Sequence, residues 1–260
     1  MYIEVWKWRA ADRGISCHWA DQMKMIYEKL MPEILAHVNS SPTKEICGLI
    51  VSLKKKLKYV HTRNVAEIGP DFIIDAEELA EIEDKYKIQA VVHSHINVNP
   101  EPSQADLIEI ERHNLPYLIV NFPVNTYTLT YPSGYIAPYE GRPFVSGITD
   151  CYSLWRDFYE RELGIYMEDY NRTYEWWHKG ENLYMDNYKE AGMIEIDRKE
   201  LKRGDIILMR IGSQVLNHCA VYLGDNRMLQ HLTGRLSSID IYGGWYQKCT
   251  GMYLRHKSQF

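Results

Sequence analysis

The stretch VVHSHINVNPEPSQAD, residues 91 to 106, decides how the first half of the chain is read. If residues 88 to 95 form a strand, the two-residue step puts His93 and His95 on one face and Ser94 on the other. Asp106 follows Ser103 by three positions at the start of a helix, on the same face as Ser103. Two imidazoles and one carboxylate make the three-ligand set of a catalytic zinc, with a fourth position left for water. A carboxylate must then take a proton from that water. Glu45, entering a neighbouring strand, is the candidate general base, and Ser103 the candidate donor to a developing oxyanion.

Helices and strands alternate around this stretch. From Asp21 to Val38 the apolar residues recur every three or four positions, which predicts an amphipathic helix kinked or restarted at Pro32. Ile46 to Leu53 and Leu57 to Thr62 read as strands joined at the Lys54-Lys55-Lys56 run, taken as a solvated hairpin tip. A helix over 75 to 87, a helix over 103 to 114 and strands over 116 to 121 and 126 to 131 complete an α/β pattern.

The second half carries GITDCYSLWRDFY, residues 147 to 159. Cys151 stands at the start of an amphipathic helix with Leu154, Trp155 and Phe158 inward. A helix N-terminus lowers a thiol's pKa and prepares a nucleophile. Such a cysteine needs a histidine base with an orienting partner. NHCAVYLGD supplies His218 and MLQHLTG supplies His231, on strands joined by a hairpin at Gly224-Asp225-Asn226. Cys219 is excluded as nucleophile, because adjacent strand residues point to opposite faces. Residues 174 to 191, rich in Trp and Tyr, read as helical, and the strands expected after Asp205 make this half α+β.

The chain has 260 residues, 45% hydrophobic and 25% charged, with a formal net charge of −5. That composition excludes a disordered or fibrous protein and argues against nucleic acid as a partner. No apolar run approaches the ~18 residues of a membrane span, and no secretory signal is expected at the charged N-terminus. Five scattered cysteines do not read as a disulfide framework. The expected layout is an extension over 1–20, a first domain over 21–135, a linker over 136–145 and a second domain over 146–260.

His-x-His, seven residues, then Ser-x-x-Asp, with Glu45-x-Cys47-Gly48 upstream, resembles the JAMM metallopeptidase family over about residues 21 to 131. The resemblance implies a cytidine-deaminase-like three-layer α/β domain that cuts peptide or isopeptide bonds with one zinc. It implies His93, His95 and Asp106 as ligands, Glu45 as base and Ser103 as oxyanion helper. Ile96 departs from the proline that many members carry there.

Asp-Cys at a helix start, Leu201 to Asp205 (LKRGD) before a strand, and His ahead of AVYLG resemble the NlpC-type cysteine peptidases over about residues 146 to 255. That resemblance implies an α+β papain-like fold, Cys151 as nucleophile, His218 as base and His231 as the orienting third residue. It also implies cleavage of γ-D-glutamyl to diamino-acid bonds in peptidoglycan. Tyr152 and Ser153 replace the Ser and Gly that often follow the cysteine, which touches the substrate pocket.

The two domains in one chain resemble tail-tip proteins of long-tailed, lambda-like bacteriophages. This implies synthesis in the host cytoplasm, a place at the virion tail tip, other tail-tip proteins as partners and peptidoglycan as substrate. Residues 1–20 would then dock on a neighbouring subunit. The alternatives are a structural tail-tip protein with one or both sites inactive, and a maturation protease of tail proteins.

Overall fold

The structure, a computed structural model, describes residues 17–54, 56–66 and 72–260, with residues 17–27 described by their backbone alone. The chain forms two compact units that meet between Tyr135 and Ile136. The expected extension lies outside the described residues except for residues 17–20, which open the first helix.

The first unit runs α1 (Cys17–Ser40), β1 (Cys47–Leu53), β2 (Lys56–Thr62), α2 (Ala76–Lys85), β3 (Lys87–Ile96), α3 (Gln104–His113), β4 (Tyr117–Phe122) and β5 (Tyr127–Thr130). Its strands form one sheet in the order β2-β1-β3-β4-β5. Only the β3–β4 pair is parallel, because α3 carries the chain back across the sheet between them. Alternation along the strands gives each face its own core. Ile50, Ala90, Val92, Leu118 and Val120 pack with Ile34 and Val38 of α1. Leu49, Val51, Val91 and Ile119 pack with Ile82 of α2 and Ile110 of α3. The result is the three-layer α/β arrangement expected of a JAMM-type domain. Helix α1 passes through Pro32 as a single element rather than restarting there.

The second unit runs α4 (Cys151–Phe158), α5 (Leu183–Asn187), β6 (Met193–Glu195), β7 (Ile206–Met209), β8 (His218–Gly224), β9 (Arg227–Gln230), β10 (Ser238–Ile241), α6 (Gly244–Cys249) and β11 (Thr250–His256). Its sheet is antiparallel, in the order β10-β9-β8-β7-β11-β6. One face, with Ile206, Leu208, Cys219, Val221 and Leu229, packs on Leu154, Trp155 and Phe158 of α4. The other, with Ile207, Met209, Ala220 and Met228, packs on Tyr242.

Two expectations are revised here, and three short elements are added to them. The Trp- and Tyr-rich stretch is one 3-10 turn (Trp176–His178) and the short α5, separated by Gly180 at φ +84°. Residues 136–145 are not a free tether. Arg142 is fully buried, its guanidinium bonds the Pro138 and Ala137 carbonyls and Asp157, and its backbone pairs with Ser237. Strands β6 and β10 and helix α6 had no expectation, being too short to show a period.

Candidate active sites

Val91, His93 and His95 alternate onto the face of β3 that α3 covers, and α3 begins beyond the carboxyl end of that strand. Open α/β sheets form their clefts at such strand ends. His93 Nε2 lies 3.2 Å from His95 Nε2 and 3.3 Å from Asp106 Oδ1, and His95 Nε2 lies 3.4 Å from Asp106 Oδ2. Among the described residues this is the cluster of three side chains whose geometry could hold a metal ion. Zinc bound at ~2.0–2.1 Å by nitrogen and oxygen has tetrahedral corners about 3.3 Å apart, so the three separations fit that ion.

The surroundings aim these rings. His95 Nδ1 lies 2.8 Å from the Asn99 carbonyl oxygen, which can only accept, so Nδ1 carries the hydrogen and Nε2 turns its lone pair to the cluster. Phe72 stacks on His93 with ring centroids 4.5 Å apart, and Tyr117 meets it edge-on. Neither aromatic was singled out in the sequence, because each is distant from the motif along the chain.

Ser103 and Asp106 form a capping box. The Asp106 N–H donates to Ser103 Oγ at 3.1 Å, and the Ser103 N–H donates to Asp106 Oδ2 at 2.7 Å. Asp106 therefore fastens its own helix and faces both histidines with one carboxylate. Burial pushes its pKa up, but the contacts with His93, His95 and Ser103 outweigh this and hold it well below the usual carboxylate range. Glu45 is buried two residues before Cys47, whose register partner is His93. Continuing that antiparallel register sets Glu45 beside His95, outside the ligand cluster. Cys47 is a buried thiol pushed up to about 11, chiefly by burial, and is a packing residue as expected.

In the second unit Asp150 caps α4 and fixes where Cys151 stands. Its carboxylate accepts from the Ser153 N–H at 2.8 Å and from the Gly147 N–H at 2.9 Å. Arg172 Nε meets it at 2.8 Å, with both side chains buried. The Cys151 thiol, half-buried, lies 3.3 Å from the Tyr184 hydroxyl. It packs with Cys219 on the α4-covered face of β8, the strand whose first residue is His218. The neighbouring Cys219 thiol and the charge of His218 together bring the Cys151 pKa well below the ordinary thiol range, against the effect of burial. Cys219, fully buried, is pushed the other way. Sequence parity excluded it as nucleophile but did not foresee that it would touch Cys151.

His231 does not orient His218. Gln230 does, with Oε1 3.0 Å from His218 Nε2. The cause is parity again. Gln230 pairs with Ala220, so it shares the face of His218, while the next residue turns the other way. His231 is fully buried against Phe144. Burial lowers its pKa. The LKRGD stretch is structural. Buried Asp205 accepts two 2.8 Å bonds from Arg255 and one from the Lys202 N–H.

A profile of the NlpC/P60 family matches residues 141–255, and one of prokaryotic homologs of the JAB domain matches residues 28–130. Tail tip assembly protein K of Escherichia phage N15 is 32% identical over 233 residues, 88% of this chain and 95% of that protein. The chain belongs to the tail tip assembly protein K family. The K protein of Escherichia phage lambda is 34% identical over 183 residues, covering 70% of this chain and 88% of its own. Among solved structures, a JAB1/MPN domain protein from Archaeoglobus fulgidus is 20% identical, covers 42% of this chain and 90% of its own, and has a TM-score of 0.30. The chain thus carries a JAB-like domain followed by an NlpC/P60 one, and the His93, His95 and Asp106 group in the first is compatible with a metal site. No described helix is long and apolar enough to cross a membrane.

Proposed function

We propose that this tail-tip protein is a cysteine endopeptidase of peptidoglycan stem peptides, coupled to a zinc-dependent peptidase. The observation that carries the first activity is the Cys151–His218–Gln230 line, with the thiol at a capped helix start and the imidazole held by an amide. Cys151, already inclined to ionise, attacks a peptide carbonyl. Its proton rests on His218 and passes from there to the leaving amine. Tyr184 stays a phenol, because burial and the neighbouring thiols raise its pKa well above the usual value, so it can donate to the sulfur.

In the first unit His93, His95 and Asp106 would hold the zinc, which supplies Lewis acidity when bound. Glu45 takes the proton from the attacking water and returns it to the leaving nitrogen. Ser103 accepts from the Asp106 N–H through its oxygen, which leaves its own hydroxyl hydrogen for the oxyanion.

Digestion of purified peptidoglycan, read by muropeptide mass spectrometry, tests activity and bond identity together. Wild type should release stem-peptide fragments that Cys151→Ala does not. An unchanged muropeptide profile with wild type would defeat the cell-wall reading and leave tail proteins to be tried as substrate.

A further inference from the structure

Beyond the nucleophile, the base and the amide that holds it, we infer that Asp240 is a positioning residue which acts through Gln230 to set the tautomer of His218. The inference rests on the peptidase reading above.

A side-chain amide can turn either end toward a partner, and only its hydrogen-bond network decides which. Gln230 Nε2 lies 2.5 Å from Asp240 Oδ2, and an ionised carboxylate only accepts. The NH2 end must therefore face Asp240, which leaves Oε1 for His218. An amide oxygen likewise only accepts, so His218 Nε2 carries a hydrogen. Its Nδ1 is then the nitrogen free to take the Cys151 proton, and the imidazolium that results still donates to Oε1. The chain Asp240–Gln230–His218 thus has a single direction.

Strand register brings these groups together. Ser238 pairs with Gln230, and Asp240 pairs with Met228, so both project on the face that carries His218. Asp240 is itself held. Ser238 Oγ donates to Oδ2 at 3.2 Å, the Tyr246 hydroxyl lies at 3.5 Å, and Arg235 stands 3.7 Å away. Tyr246 and Arg235 are its titratable neighbours. Those of the thiol are His218, Cys219, Tyr184 and Asp150, with His231 further off.

Without Asp240 the amide is free to turn its NH2 end to His218. His218 then keeps its hydrogen on Nδ1, facing the sulfur, and the imidazolium loses an acceptor. The thiolate loses stabilisation, so the pH at which Cys151 becomes reactive moves up.

The test is the pH profile of iodoacetamide alkylation of Cys151 in the full chain, with the modified site identified by mass spectrometry. For Asp240→Ala we expect a profile displaced upward by about one pH unit and a rate roughly tenfold lower on the acid limb. Asp240→Asn can still offer the amide an oxygen, and should recover most of the wild-type profile. Gln230→Ala/Asp240→Ala together should be no worse than Gln230→Ala alone. An Asp240→Ala profile superimposed on wild type, or equal defects in the Ala and Asn variants, would overturn the inference while a displaced His218→Ala profile left the peptidase reading standing. If wild-type Cys151 reacts as an ordinary thiol and His218→Ala changes nothing, both fall.

Discussion

The two candidate sites differ in how far the chain must travel to assemble them. His93, His95 and Asp106 come from one strand and the first turn of the next helix, so their spacing alone brings them together. Cys151, His218 and Gln230 come from a helix and two strands far apart in sequence, and only the packing of α4 on β8 and the β8–β9 register joins them. A locally built site is legible as a motif. A site built across the fold is legible only as far as its register is.

The sharpest way to break this comparison is to remove a reacting group. His218→Ala should lower turnover of a stem peptide by roughly 10²–10⁴-fold, the contribution of a positioned base. The zinc content of the first unit should be unaffected. Conversely His93→Ala should take bound zinc from about one per chain to none by elemental analysis, without altering Cys151 alkylation. Cross-talk in either direction would mean that the two sites are not independent.

The next effect is on stability. Asp150→Asn keeps a good helix cap but removes one of the two carboxylates that meet buried Arg172, leaving Asp169 at 2.9 Å, and should cost about 1.5–3 kcal/mol in chemical unfolding at pH 7. Burial opposes ionisation of Asp150, yet Arg172 and the backbone donors hold its folded pKa below that of the unfolded chain. Its contribution is therefore fully present above about pH 4 and disappears as pH falls through the folded value. The gap between wild type and Asp150→Asn should accordingly close in acid.

Smaller effects sharpen the choice of third residue. Gln230→Ala should reduce turnover by roughly 10- to 100-fold, typical of an outer partner that orients a reacting ring. His231→Leu should leave turnover within a few-fold, because its ring lies against Phe144 while Gln230 holds His218. The reverse ranking would restore His231 to the role its sequence position suggested.

Much of the molecule is legible from periodicity. Helices α1 to α4, the two-residue step of His93 and His95, and the helix start at Cys151 follow from local rules. What was missed is non-local. Gln230 and His231 are neighbours in sequence, and the parity that separates them was applied to Cys219 but not to this strand. Phe72 and Tyr117 reach His93 only through the fold, and the buried Arg142 anchors an apparent tether through Asp157.

Asp106 has a further consequence for reading relatives. Because the same carboxylate closes the first turn of α3, a descendant that had lost its metal would still be selected to keep an aspartate there, for the sake of folding alone. An alignment column conserved at that position would say little about chemistry. His93, which has no such second duty, is where the history of gain or loss would be written.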